Sequence, residues 1–162
     1  MKSTLHLTMT LFLSSSALLF SPVLSAQNAD VVVHDAWIRV PLPSQNQTAL
    51  YFVIENHAGA PRAIVSASSP AAEKIELHEE KMDASKKMMS MTPIARISVP
   101  ASGKVMLQSG GYHMMVFGLK SRPVTGSTFP FSVTLDDGST IAVTAMVRDQ
   151  AGEPMKDMNM KK

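Results

Sequence analysis

Residues 128–147 read TFPFSVTLDDGSTIAVTAMV. Phe129, Phe131, Val133 and Leu135 alternate with smaller or polar residues, and a second β-type run follows from Thr140 to Val147. Successive side chains of a strand point to opposite faces, so such a run buries one face and wets the other. Asp136-Asp137-Gly138-Ser139 lies between the runs and carries an Asp-Gly turn signal, glycine supplying the positive φ a tight hairpin needs. The stretch is therefore an antiparallel hairpin.

The same period of two continues upstream. Val31-Val32-Val33, Trp37 to Val40, Ala49 to Ile54, Ala63-Ile64-Val65, Lys74 to His78, Ile94 to Val99, Lys104 to Leu107 and Tyr112 to Phe117 are short β-type runs. Turn signals separate them at Pro41-Leu42-Pro43-Ser44, at Asn56 to Pro61, at Pro100 to Gly103 and at Gly110-Gly111. No segment holds a helical stripe over three turns. Eight to ten strands at this spacing predict an all-β, antiparallel Greek-key sandwich as a single domain.

The chain of 162 residues fits one domain once an export signal is removed. Residues 1–26 read as that signal: Lys2, a short apolar run from Leu11 to Phe20 interrupted by Ser14-Ser15-Ser16, and Val23-Leu24-Ser25-Ala26 before the cut. The apolar stretch is too short for a membrane span, and no cysteine follows Ser25 to carry a lipid. The expected product is a periplasmic, monomeric protein with no membrane span, made of a domain over residues 27–148 and a polar, disordered, Met-rich tail over residues 149–162. Fifteen basic against thirteen acidic residues give no field for nucleic acid. With no cysteine, neither disulfides nor thiolate chemistry is available. No Ser-His-Asp set, phosphate-cradling glycine loop or paired acid/base carboxylates is present, so an enzyme is not expected.

Methionine stands out instead. Of 13 in the chain, Met82, Met88, Met89 and Met91 crowd into one stretch and Met155, Met158 and Met160 into the tail, flanked by Lys, Asp and Ser rather than by core residues. In Tyr112-His113-Met114-Met115-Val116, His113 and Met115 share a strand face while Met114 and Val116 take the other. In Ile75-Glu76-Leu77-His78, His78 likewise leaves the face of Ile75 and Leu77. A polar loop from Glu79 to Lys87 is expected to follow, leading to Met89 and Met91, again two residues apart. Two histidines and at least two methionines thus gather at strand ends. Thioether sulfur is soft and neutral, imidazole suits copper, and an uncharged set favours a monovalent ion; Cu(I), one per monomer, is the expected metal. Met106 and Met146 are expected in the core, Met82 and Met88 on a surface loop, and His34 and His57 without partners. The tail methionines offer an additional copper site.

These motifs resemble the periplasmic copper chaperones that serve the CuA site of cytochrome c oxidase (PCu(A)C-type). That family carries His, a ten-residue gap, Met, a 21-residue gap, then His-x-Met. Met91, His113 and Met115 reproduce the second half; twelve residues intervene between His78 and Met91, and ten between His78 and Met89. Ala36-Trp37-Ile38-Arg39, Pro41, Pro43, Ala49-Leu50-Tyr51, Ser68 to Ala72 and Gly110 to Met115 with Gly118-Leu119 are also similar, so the likeness runs from Val31 to Arg148. It implies a cupredoxin-like fold, metal ligands His78, Met91, His113 and Met115 with Met89 as the alternative, and delivery of copper to a respiratory oxidase subunit or another copper chaperone. A copper buffer or resistance protein without a dedicated acceptor is the alternative role, and a metal-free interaction module a third.

Overall fold

A computed structural model describes residues 30–83 and 88–149. Residues 1–29 and 150–162, which include the expected export signal and all of the tail but Asp149, lie outside them, as does 84–87. Among the described residues the regular structure is strand throughout: β1 (Val31–Arg39), β2 (Gln47–Asn56), β3 (Arg62–Ser68), β4 (Lys74–Asp83), β5 (Met88–Pro93), β6 (Ile97–Val99), β7 (Gly103–Leu107), β8 (Tyr112–Phe117), β9 (Thr128–Leu135) and β10 (Thr140–Arg148).

Neighbours run in the order β5-β4-β8-β2-β1-β10-β9-β3-β6, with β7 beside β2 and a single rung, Ala67 opposite Ile75, joining β3 to β4. The sheet thus folds back on itself. Phe52 of β2 and Phe131 of β9 are not neighbours along the path, yet their ring centroids are 5.7 Å apart, so they meet across the interior. β2 lies between β1 and β8, its partners far apart in sequence, as a Greek-key crossing requires. The expected cupredoxin-like sandwich is the fold. One pairing departs from the antiparallel expectation: β1 and β10 run parallel, with Trp37 opposite Met146.

The 128–147 hairpin forms as its alternation demands. Phe129, Phe131, Val133 and Leu135 are buried on β9, and Ala145 and Val147 on β10. The turn closes with Gly138 at φ 81° and with Ser139 donating to Asp137 Oδ1 through both its backbone N–H and its hydroxyl. At the end of β8, Gly118 sets how β4 enters the sheet. Its φ is +63°, and a Cβ there would run into the Glu73 side chain. The Glu73 N–H donates to the carbonyls of Phe117 and Gly118, which anchors the start of β4 against the end of β8.

Several sequence expectations need correction. Val31–Val33 and Trp37–Val40 are not two strands but one, β1, with a bulge between His34 and Trp37 where Asp35 takes φ 53°. The polar loop expected from Glu79 is strand as far as Asp83, paired with β5 from His78–Pro93 to Asp83–Met88. The run from Ile94 contracts to Ile97–Val99. Met106 and Met146 are exposed, at 50% and 42%, rather than core. Leu107, Ala145 and Val147 take the inward phase, and the outward phase is apolar as well, with Met106 opposite Val53 and Met146 opposite Trp37. Periodicity alone cannot choose between two apolar phases.

Candidate metal centre

Antiparallel pairing between β4 and β8 puts His78 directly opposite His113. Side chains of directly opposed residues project from the same sheet face. The two imidazoles stand with ring centroids 5.8 Å apart and planes tilted by 41°. Both are buried, at 8% and 2% exposure, although this face is the one turned away from the core residues Leu77, Met114 and Val116. The cover comes from aromatic neighbours in the same transverse row: Tyr51 lies 6.3 Å from His113, and Trp37 stacks on Tyr51 at 4.5 Å. Arg39 sits over Tyr51 at 5.5 Å, and Phe117 lies 6.4 Å from His78.

Each histidine has one nitrogen spoken for and one left over. His113 Nδ1 lies 3.2 Å from the Gly111 carbonyl, an acceptor only, so Nδ1 carries the proton and Nε2 the lone pair. His78 Nε2 lies 3.0 Å from Glu76 Oε2. Lys74 first, and His78 next, hold the Glu76 carboxyl below its ordinary range, so Glu76 is an ionised acceptor and His78 Nε2 donates to it. His78 Nδ1 and His113 Nε2 are both buried without a hydrogen-bond partner. A buried polar atom left unpaired costs about 1–3 kcal/mol. Among the polar residues buried as a whole, the other two, Thr48 and Asn56, find theirs: Thr48 donates to the Arg39 carbonyl, and Asn56 joins Ala58, Ala60 and Pro100. The Arg62 Nε is also buried without a hydrogen bond, but it lies 3.5 Å from the Asp137 carboxylate. Burial, ahead of the nearby charges, lowers the pKa of His113, which keeps its ring neutral. Two imidazoles, each oriented by a hydrogen bond at one nitrogen and with the other left unpartnered, make the arrangement that metal-ligating histidines require.

The methionines flank this pair. Met115 is two residues from His113 on β8 and opposite Glu76. Met91 is opposite Glu80 and Met89 opposite Met82, so both lie on the same face as His78. Their rungs are two and four residues beyond His78, about 7 Å and 13 Å along the strand. Register therefore brings Met91 closer to the histidines than Met89. The carboxylates are otherwise engaged: Glu79 with Lys81 at 2.8 Å, and Glu80 with the Gly110 N–H at 2.8 Å. Among the described residues no group of three His, Cys, Asp or Glu is placed to hold a metal. His34 and His57, expected to lack partners, both contact Glu55, at 3.3 and 3.9 Å, and His34 also contacts Asp35.

Sequence reasoning placed His78 and His113 on this face but missed Glu76 as the group that orients His78. Its position two residues before His78 was the available signal. It also missed the Trp37–Tyr51 cover, because Tyr51 meets His113, and Trp37 meets Tyr51, only through the β8–β2–β1 order.

Comparison with known proteins agrees with the fold. A putative lipoprotein from Leifsonia xyli subsp. xyli is 29% identical over 122 residues, 75% of this chain and 72% of its own. The solution structure of CuI-DR1885 from Deinococcus radiodurans is 30% identical, covers 76% of this chain and 81% of its own, and superposes with a TM-score of 0.56. The copper-bound PCuAC domain from PmoF2 shares the fold at 18% identity, with a TM-score of 0.63 over 74% of this chain and 93% of its own. The family model described as "Putative lipoprotein LpqE-like" matches residues 31–147, and the chain belongs to the LpqE-like family.

Proposed function

We propose that the protein carries one Cu(I) ion on the outer face of β4 and β8 and hands it to a copper-accepting partner outside the cytoplasm. The observation that carries this reading is the pair of facing, buried histidines whose Nδ1 (His78) and Nε2 (His113) have no hydrogen-bond partner. Met115 supplies a thioether beside them, and Met91 the second. The copper bound by the PmoF2 domain and by CuI-DR1885 supports the same metal, and the lipoprotein names of the family and its Leifsonia relative support export to the cell envelope. A neutral set of two imidazoles and two thioethers suits a soft monovalent ion.

Met91 is favoured over Met89 on two grounds. It is nearer by register, and two residues added at a hairpin tip lengthen both arms while leaving the pairing below unchanged, so the longer His78-to-Met91 gap does not move Met91 off its rung. Glu80 and Glu76, the rungs of Met91 and Met115, are four residues apart with β4 between β5 and β8. Their backbones are thus about 16 Å apart, too far for both sulfurs to share an ion unless the β4–β5 arm bends toward the histidines. Release follows in reverse: Met91, on the exposed arm, leaves first, and the incoming partner ligands take its place. An acceptor offering cysteine thiolates gains a charge-neutralising bond and wins the ion. A CuA-type oxidase subunit or a second chaperone meets that description.

The test is an anaerobic Cu(I) competition titration of wild type, His113→Ala, Met115→Ala, Met91→Ala and Met89→Ala, followed by mixing loaded protein with a CuA-type domain. The expected result is a large loss of affinity for His113→Ala, smaller losses for Met115→Ala and Met91→Ala, and transfer from wild type. Unchanged retention by His113→Ala would overturn the assignment.

A further inference from the structure

The β4–β5 arm has two unlike faces. On one, Glu79 pairs with Lys81 at 2.8 Å, and Ser90 and Thr92 occupy the facing positions. On the other, beyond Glu80, Met82 stands directly opposite Met89, and Met91 is the next residue on that face of β5. Directly opposed Cβ atoms lie about 4.5–5.5 Å apart and diagonal ones about 7–8 Å apart, within reach of the long methionine side chain. All three are exposed, at 62%, 43% and 49%. Glu80 shares the face, but its carboxylate accepts the Gly110 N–H. What remains is three neutral thioethers on one patch of an arm that buries little. Hard and divalent cations gain little from such a set; Cu(I) and Ag(I) suit it.

We propose that Met82, Met89 and Met91 form a second Cu(I) site, built from thioethers alone, that captures the ion on the hairpin before it reaches the histidines. Met91 belongs to both sets. When the arm bends inward, Met91 keeps its bond to the ion while the sulfurs of Met82 and Met89 are exchanged for the imidazoles of His78 and His113 and the sulfur of Met115. The ion enters and leaves as Cu(I), so no electron or proton is transferred. The onward step rests on the histidine site proposed above; the thioether site itself does not.

The experiment follows the ε-methyl NMR signals of isotopically labelled methionines while Ag(I), and separately Cu(I) under anaerobic conditions, is added to the full chain. Met106 and Met146, exposed but isolated on other strands, serve as internal controls. In a His113→Asn variant the signals of Met82, Met89 and Met91 are expected to shift together, well before those of Met106 and Met146. Adding Met82→Leu and Met89→Leu to that variant should raise the Met91 midpoint by about tenfold or more. If the three methyls titrate with the controls, or if the leucine changes leave the Met91 midpoint in place, the thioether site is wrong. Failure of the histidine site reads differently: in the wild type, the His78 and His113 ring signals would stay still while the three methyls move.

Discussion

The molecule contains two hairpins built on opposite plans. In β9–β10 one face of each strand is sealed: Phe129, Phe131, Val133 and Leu135 are buried, and the turn is pinned by Asp137 and Gly138. In β4–β5 burial ends near the base, at Leu77 and His78, and every residue of β5 except Ser90 is exposed. Backbone pairing is continuous in both, so hydrogen bonding does not separate them. Burial does, because apolar area removed from water is what stabilises a strand pair against its own conformational entropy. The first hairpin holds the fold together, whereas the second is anchored at its base and carries Met82, Met89 and Met91 exposed on its arm. Regions of low local stability are where ligand-gated motion is found.

Changes to the two hairpins should separate stability from binding. Phe131→Ala removes a ring packed against Phe52 and should cost about 3–5 kcal/mol, read from urea unfolding. If Met89→Leu cost as much, the contrast between the hairpins would fail. At the base of the second hairpin, Glu76→Gln keeps the shape but loosens the hold on His78 Nε2. It should weaken Cu(I) binding about ten- to a hundredfold in a competition titration, with little change in unfolding.

A smaller effect concerns the metal-free protein. Burial lowers the pKa of His113 below its ordinary 6.5, so the unfolded chain takes up this proton first as pH falls. The contribution is therefore complete above pH 6.5 and is lost as pH falls through the folded pKa. His34 acts in the opposite sense, its pKa raised chiefly by the Asp35 hydrogen bond, so the comparison to make is wild type against His113→Asn. The variant should show the flatter decline between pH 7 and pH 5; equal slopes would remove His113 from the account. Least of all, Met91→Leu on the exposed arm should shift unfolding by under about 0.5 kcal/mol while still lowering copper affinity.

Legibility in the sequence follows the same division. β9–β10 could be read because burial writes itself as alternation, as Phe129 to Leu135 show. The Glu79–Pro93 hairpin could not, because a strand pair that buries neither face leaves no period in its composition. For the same reason Met82 reads as loop, although it stands opposite Met89. Met106 and Met146 were misplaced where the outer face is apolar too, with Val53 and Trp37 as their rung partners.

By itself the sequence determined an all-β sandwich, the faces on which His78, His113 and Met115 project, and a chain without thiols in which imidazole and thioether are the soft groups on offer. Those follow from period-two geometry and ligand chemistry, which are local properties of the chain. Only the tertiary structure decided that β4 and β8 are neighbours with His78 on the rung of His113, that Glu76 and Gly111 take the far nitrogens, and that Met91 lies nearer than Met89. Strand order and register come from how the whole core packs, and residues 35 positions apart learn of each other only there.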